Sequence, residues 1–101
     1  MFVNIVRFPK IRQGKDQAFR EWFVWSNERY AKHKGFVRRR LLKPMEGGEY
    51  VGLVEHDSRD TFMAMHTSPT QAEAHERVEP LFDGGPGAEF FETVIDSARK
   101  E

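Results

Sequence analysis

The chain switches repeatedly between a hydrophobic period of two and a period of 3.6, and the order of the switches leaves few folds open. Residues 2–9 alternate, with Asn4, Val6 and Phe8 on one face and Val3, Ile5 and Arg7 on the other, and Pro9 ends the run. After a turn at Gly14, residues 15–32 place Phe19, Trp22, Phe23, Ser26 and Tyr30 on one helical stripe, with Glu28 and Lys32 as a surface pair. Gly35 is the stop signal. Residues 36–42 and 50–56 read as strands joined through Pro44, Gly47 and Gly48. Ser58 suits an N-cap for a helix to about residue 65, with Asp60 in its first turn. Ser68 and Pro69 restart a helix that runs to about residue 81. Residues 83–87 break it, 88–96 alternate as a last strand, and 97–101 read as a frayed tail. The order β-α-β-β-α-β, with the second helix in two pieces, specifies an α+β, ferredoxin-like fold with an antiparallel sheet. Its helices cover one face of the sheet, so the other face needs a cover.

The 101 residues fit one domain, 1–101, with a small core. Nine Phe, two Trp and two Tyr are many rings for that core. Some are expected at an interface or a pocket, and a homodimer with apposed sheets is the expected assembly. Sixteen basic and sixteen acidic residues give no net charge, which disfavours nucleic acid as a partner. An RNA-recognition reading of this topology also lacks the third-strand aromatics it needs at residues 50–54. Cysteine is absent, which removes disulfides, thiolate nucleophiles and cysteine-held metals. No signal peptide and no bilayer-length apolar stretch is visible, so the expected setting is cytoplasmic, without a membrane partner.

Two polar residues are out of place. Asn4 interrupts an apolar strand, where an amide is costly to bury without partners. His75 lies on the second helical piece, where it is either a surface imidazole or, if both approach one cavity, a metal ligand or proton donor. His33 and His66 are expected to face solvent, and His56 to end the third strand. No two of His56, His66 and His75 have the spacing of a helical metal pair. The triplet Arg38-Arg39-Arg40 splits by alternation. It reads as rim charge, with contact to ligand carboxylates as the functional alternative. Trp25 lies off the main stripe, in position for a cleft or an interface.

Gly35-Phe36, Leu41-Leu42-Lys43-Pro44, Asp60-Thr61-Phe62, Ser68-Pro69 and Ala74-His75 together resemble the antibiotic biosynthesis monooxygenase superfamily over residues 2 to 96. That resemblance implies a dimeric α/β barrel of two ferredoxin-like chains. Within the superfamily the pattern is similar to the haem-degrading monooxygenase branch. It implies Asn4 near a distal oxygen, His75 as the haem-iron ligand, and Met65 where that branch has a macrocycle-distorting Trp. Methionine is too flexible for a wedge, so Met65 is expected to pack. The resemblance therefore implies a haem-sized pocket more than haem breakdown. It leaves two alternatives: cofactor-independent oxidation of a quinol-like aromatic, and a non-enzymatic dimer that binds a small hydrophobic ligand.

Overall fold

A computed structural model describes residues 1–98. Six strands and three helices follow in the order β1 (Phe2–Arg7), β2 (Lys10–Ile11), α1 (Asp16–Tyr30), β3 (Phe36–Leu42), β4 (Val51–His56), α2 (Arg59–His66), α3 (Pro69–Val78), β5 (Phe82–Asp83) and β6 (Gly87–Glu92). The main sheet has the order β3-β4-β1-β6, antiparallel throughout. This is the expected ferredoxin-like arrangement.

The differences from the expected boundaries have local causes. The first strand stops at Arg7, because Pro9 has no N–H to continue the ladder. Phe8 donates to the Tyr50 carbonyl at 3.0 Å, and the chain then forms a separate two-residue ladder, β2 with β5. Helix α1 ends at Tyr30, so Lys32 lies beyond it and the expected helical Glu28–Lys32 pair has no scaffold. Helix α3 ends at Val78, and a 3₁₀ turn over Glu79–Leu81 takes its place because Pro80 cannot donate. The last strand ends at Glu92 rather than residue 96. Its partner β1 begins at Phe2, opposite Glu92, and the Thr93 N–H bond to the Met1 carbonyl is the final rung. Residues 99–101 of the expected tail lie outside the described residues.

Ser58 caps α2 through a box with Thr61, and Ser68 caps α3 ahead of Pro69, both as the sequence signals require. Gly35 has φ +82°, and a Cβ there would fall 2.4 Å from Thr61. Only glycine fits that junction between α1 and β3.

The core lies between the sheet and the helices. Phe2, Tyr30, Val54, Phe62, Met65 and Ala74 form one buried group, and Phe8, Phe19, Phe23, Tyr50, Val78 and Phe82 the other. No helix among the described residues covers the opposite sheet face. Alternation puts Val3, Ile5, Val51, Leu53 and Phe91 there, with Glu55 held between Arg38 and Arg40 at 3.1 Å from each. No helix among the described residues is long and apolar enough to cross a membrane.

Candidate functional site

Between the two core groups the packing is incomplete. A cavity of about 280 Å³ opens between the sheet and the three helices. Its walls include Phe8, Trp22, Phe62, Met65, Val78 and Phe82. Its polar groups are Asn4 from β1, Arg39 from β3, Tyr30 from α1, His66 from α2, and Gln71 and His75 from α3. Asn4 and His75, separated by most of the chain, therefore border one cavity, as their joint reading requires.

Asn4 sits mid-strand, opposite Val54 on one side and Phe90 on the other, and is 5 % exposed. Its Oδ1 is buried without a hydrogen-bond partner. Leaving such a group unpaired costs about 1–3 kcal/mol. His75 is at the mouth, not in the interior. Its side chain is 54 % exposed, with Nε2 3.4 Å from a Glu79 carboxylate oxygen one helical turn on. Met65 is 4 % exposed and packs in the core beside the cavity, as expected for methionine there.

Of the other histidines, His66 is exposed and His56 ends its strand as expected, while His33 corrects the expectation that it faces solvent. His66 is exposed but also borders the cavity, with its ring stacked on Phe62 at 5.3 Å. His33 is half-buried and its Nε2 lies 2.9 Å from the Thr70 hydroxyl, because the turn after α1 packs on the start of α3. His56 is fully buried, with Nδ1 3.2 Å from the Thr61 hydroxyl and Nε2 unpartnered. Burial pushes its pKa down, and the smaller influences of Asp57 and His33 oppose one another. Among the described residues no cluster of three or more His, Cys, Asp or Glu could hold a metal ion.

Arg39 is the functional candidate that the rim reading of the arginine triplet misses. Arg38 and Arg40 are exposed, as rim charges should be, but Arg39 turns toward the helices in phase with Leu41. Its Nη1 donates to Ser26 Oγ and Asn27 Oδ1, both at 2.7 Å. The guanidinium lies over the rings of Phe23 (4.2 Å), Tyr30 (4.5 Å) and Trp22 (5.8 Å). The residue is half-buried by area, yet desolvation of the guanidinium lowers its pKa to about 10. It is still a cation at neutral pH. No carboxylate among the described residues pairs with it. Tyr30 is not a counter-ion either: burial raises its pKa, outweighing the opposing pull of Arg39, and its hydroxyl donates to Gln71 Oε1. The alternation that separated Arg39 from its neighbours was the signal that could have found it. Trp25 lies outside this cavity, on the surface between Arg29 (5.2 Å) and Arg77 (4.3 Å).

No family model matches the chain, and neither does any curated protein. Solved structures do match. A variant of SnoaB, a cofactor-independent oxygenase from Streptomyces nogalater, is 18% identical with a TM-score of 0.82, covering 97% of each chain. Rv0793 from Mycobacterium tuberculosis is 19% identical with a TM-score of 0.81, over 95% of this chain and 97% of the other. A Nitrosomonas europaea protein that carries the antibiotic biosynthesis monooxygenase name is 16% identical with a TM-score of 0.79, over 94% and 100%. At these identities the likeness is one of fold, and the fold is that of the antibiotic biosynthesis monooxygenase structures.

Proposed function

We propose that this chain is a small oxygenase that oxidises a compact quinol-like aromatic without a resident cofactor, working as a homodimer joined through its helix-free sheet faces. The observation that carries this reading is the cavity: aromatic walls, an unpartnered Asn4 amide and an Arg39 cation in the interior, and two imidazoles at the mouth. Its volume of about 280 Å³ falls just below the roughly 300–1,000 Å³ range of ligand clefts, which suits one or two fused rings. The fold shared with a cofactor-independent oxygenase supports the same chemistry.

The reaction converts a ring methylene to a carbonyl: R–CH₂–R′ + O₂ gives R–CO–R′ + H₂O. A base removes one methylene proton, the resulting carbanion reduces oxygen, and the O–O bond breaks as the second C–H proton leaves with the departing oxygen as water. His66 and His75 flank the mouth, where imidazoles suit proton transfer. Asn4 Oδ1, the atom left without a partner, is an acceptor suited to a substrate hydroxyl, and only the Nδ2 hydrogens of the same amide can meet charge developing on oxygen. The aromatic walls exclude water from the carbanion.

Haem draws less support from these residues. The only ligand that the resemblance offers, His75, is half-exposed and engaged by Glu79, and the cavity is small for a macrocycle with its propionates. Hemin titration should give no iron-ligand spectrum that His75→Ala removes, and one that it does remove would restore the haem reading.

The decisive experiment follows oxygen uptake by chelator-treated protein with a panel of naphthol- and dihydronaphthalene-type substrates. Product from ¹⁸O₂ should carry one labelled carbonyl oxygen. Tight binding with no oxygen uptake across the panel would replace the enzyme with a ligand-binding dimer.

A further inference from the structure

We infer that Arg39 is an anion-binding group that makes the cavity selective for a planar aromatic ligand carrying an ionised oxygen acid. The inference deepens the reading of the cavity as a substrate site and rests on it.

Three observations carry it. Arg39 lines the cavity and has no carboxylate partner among the described residues. Its protein hydrogen bonds both leave from Nη1, so the Nε and Nη2 donors have no protein acceptor among the described residues. Asn4, on the same cavity and 5 % exposed, has an acceptor with no partner, Oδ1, so the ligand is a polar one that brings a donor as well as the anion. The faces of Phe23, Tyr30 and Trp22 partly offset the cost of holding a cation there. Aromatic faces are no substitute for an acceptor, however, and a guanidinium is a donor only.

The consequence appears when a ligand enters. An aromatic molecule that fills the cavity displaces the water that can serve Nε and Nη2. A neutral hydrocarbon would leave the cation dry and unpaired, which is the costly arrangement. A ligand with a conjugated oxyanion removes that cost and meets the guanidinium fork with charge-assisted hydrogen bonds. The charged and titratable groups around Arg39 do not supply that anion. Tyr30 is neutral, His66 and His75 are at the mouth, and Glu79 is already beside His75. The oxyanion can be a phenolate or a carboxylate, since both present planar oxygens to the fork.

The test uses three probes of one shape: 2-naphthol, 2-naphthoate and 2-methoxynaphthalene, titrated into the full chain and followed by ligand absorbance and fluorescence. The naphthoate, the naphthol or both should bind about ten- to a hundredfold more tightly than the methoxy ether. Preference for one of the two identifies the oxyanion as carboxylate or phenolate. Arg39→Met should erase the preference while leaving methoxy-ether binding within a few-fold. Arg39→Lys should keep part of it, because the charge stays and the fork is lost. If Arg39→Met does not fold, the wild-type protein still decides: whichever of 2-naphthol and 2-naphthoate binds more tightly should ionise at lower pH when bound than in water, whereas an unchanged or raised value for that probe overturns the inference. Equal binding of all three probes, or a preference that survives in Arg39→Met, overturns it too. Oxygen uptake is scored separately. Anion preference without turnover removes the oxygenase reading and leaves Arg39 as assigned, and turnover of a neutral substrate without anion preference does the reverse.

Discussion

Replacing Asn4 with leucine should stabilise the protein while disabling the cavity. The two side chains branch at the same carbon, and the extra volume of Leu can enter the cavity that Asn4 borders. Asn4 Oδ1 is buried without a partner, and removing an unsatisfied group of that kind recovers about 1–3 kcal/mol. For a domain of this size each kcal/mol moves the melting temperature by about 4–8 °C, so a rise of at least about 4 °C is expected. The measurement is urea unfolding of wild type and Asn4→Leu at one fixed protein concentration, because association contributes to apparent stability. The midpoint should rise with no change in slope. Oxygen uptake, or binding of the naphthalene probes, should fall in the same variant. A loss of 1 kcal/mol or more would refute the reasoning, for it would mean that the amide is satisfied in the folded protein and Asn4 is a structural residue.

Three further outcomes test other parts of the structure. His56 is neutral when folded because burial lowers its pKa, so the unfolded chain binds the extra proton. Its contribution to stability is full above the ordinary histidine value of about 6.5 and is lost as pH falls toward the lowered folded value; His56→Gln should flatten unfolding midpoints between pH 7.5 and 5.5, and an unchanged pH slope rules this out. Gly35→Ala combines a left-handed φ of +82° with a Cβ 2.4 Å from Thr61, so it should cost more than about 1 kcal/mol in urea unfolding; a change under half that would mean the junction relaxes freely. The helix-free face should bury more than roughly 1,000 Å² between two copies; sedimentation should show a dimer at micromolar concentration and Leu53→Glu a monomer, while a monomeric wild type sinks the assembly.

Elements with period and punctuation were legible in the sequence. Ser58 and Ser68 announced two helix starts because capping is a local exchange between a hydroxyl and nearby N–H groups. Gly35 announced a stop because only glycine tolerates the required backbone. Strand ends were less legible because they depend on a partner. Residues 93–96 alternate as well as 88–92, but β1 has no residues left to pair with them. The site was legible in part for the same reason. Asn4 was visible as an amide in an apolar strand, a violation that local pattern exposes. His75 was placed at the right cavity, but its pairing with Glu79 depends on the helical turn between them, and its mouth position on how α3 packs. Arg39 was hidden among three arginines whose local pattern suggests a rim. Only the packing of α1 over β3 gives it Ser26 and Asn27 as partners and three rings as neighbours.

The two costs left in the interior point the same way. A chain selected for stability alone has a cheap remedy at position 4, where Leu removes an unpaired oxygen, and no need of a cation at position 39 between Phe23 and Tyr30. Replacing an unpaired buried polar group by a packed apolar one is commonly stabilising. Elsewhere the interior is well satisfied. Trp22 donates to the Ala74 carbonyl, Tyr30 to Gln71, and Ser26 to the Phe23 carbonyl. His56 Nε2 is the one other orphan among the described residues, and its neutral ring is tied through Nδ1 to Thr61. Asn4 and Arg39 differ in bordering the cavity, and they differ from each other in kind: one is an amide whose Oδ1 has no hydrogen-bond partner, the other a cation with spare donors. A ligand that offers an oxyanion to Arg39 and a polar edge to Asn4 would relieve both at once. On that reading Asn4 Oδ1 is a cost that the free protein already holds, whereas the Arg39 donors become one when a ligand displaces their water, so a ligand that answers both gains selectivity from a pre-organised site.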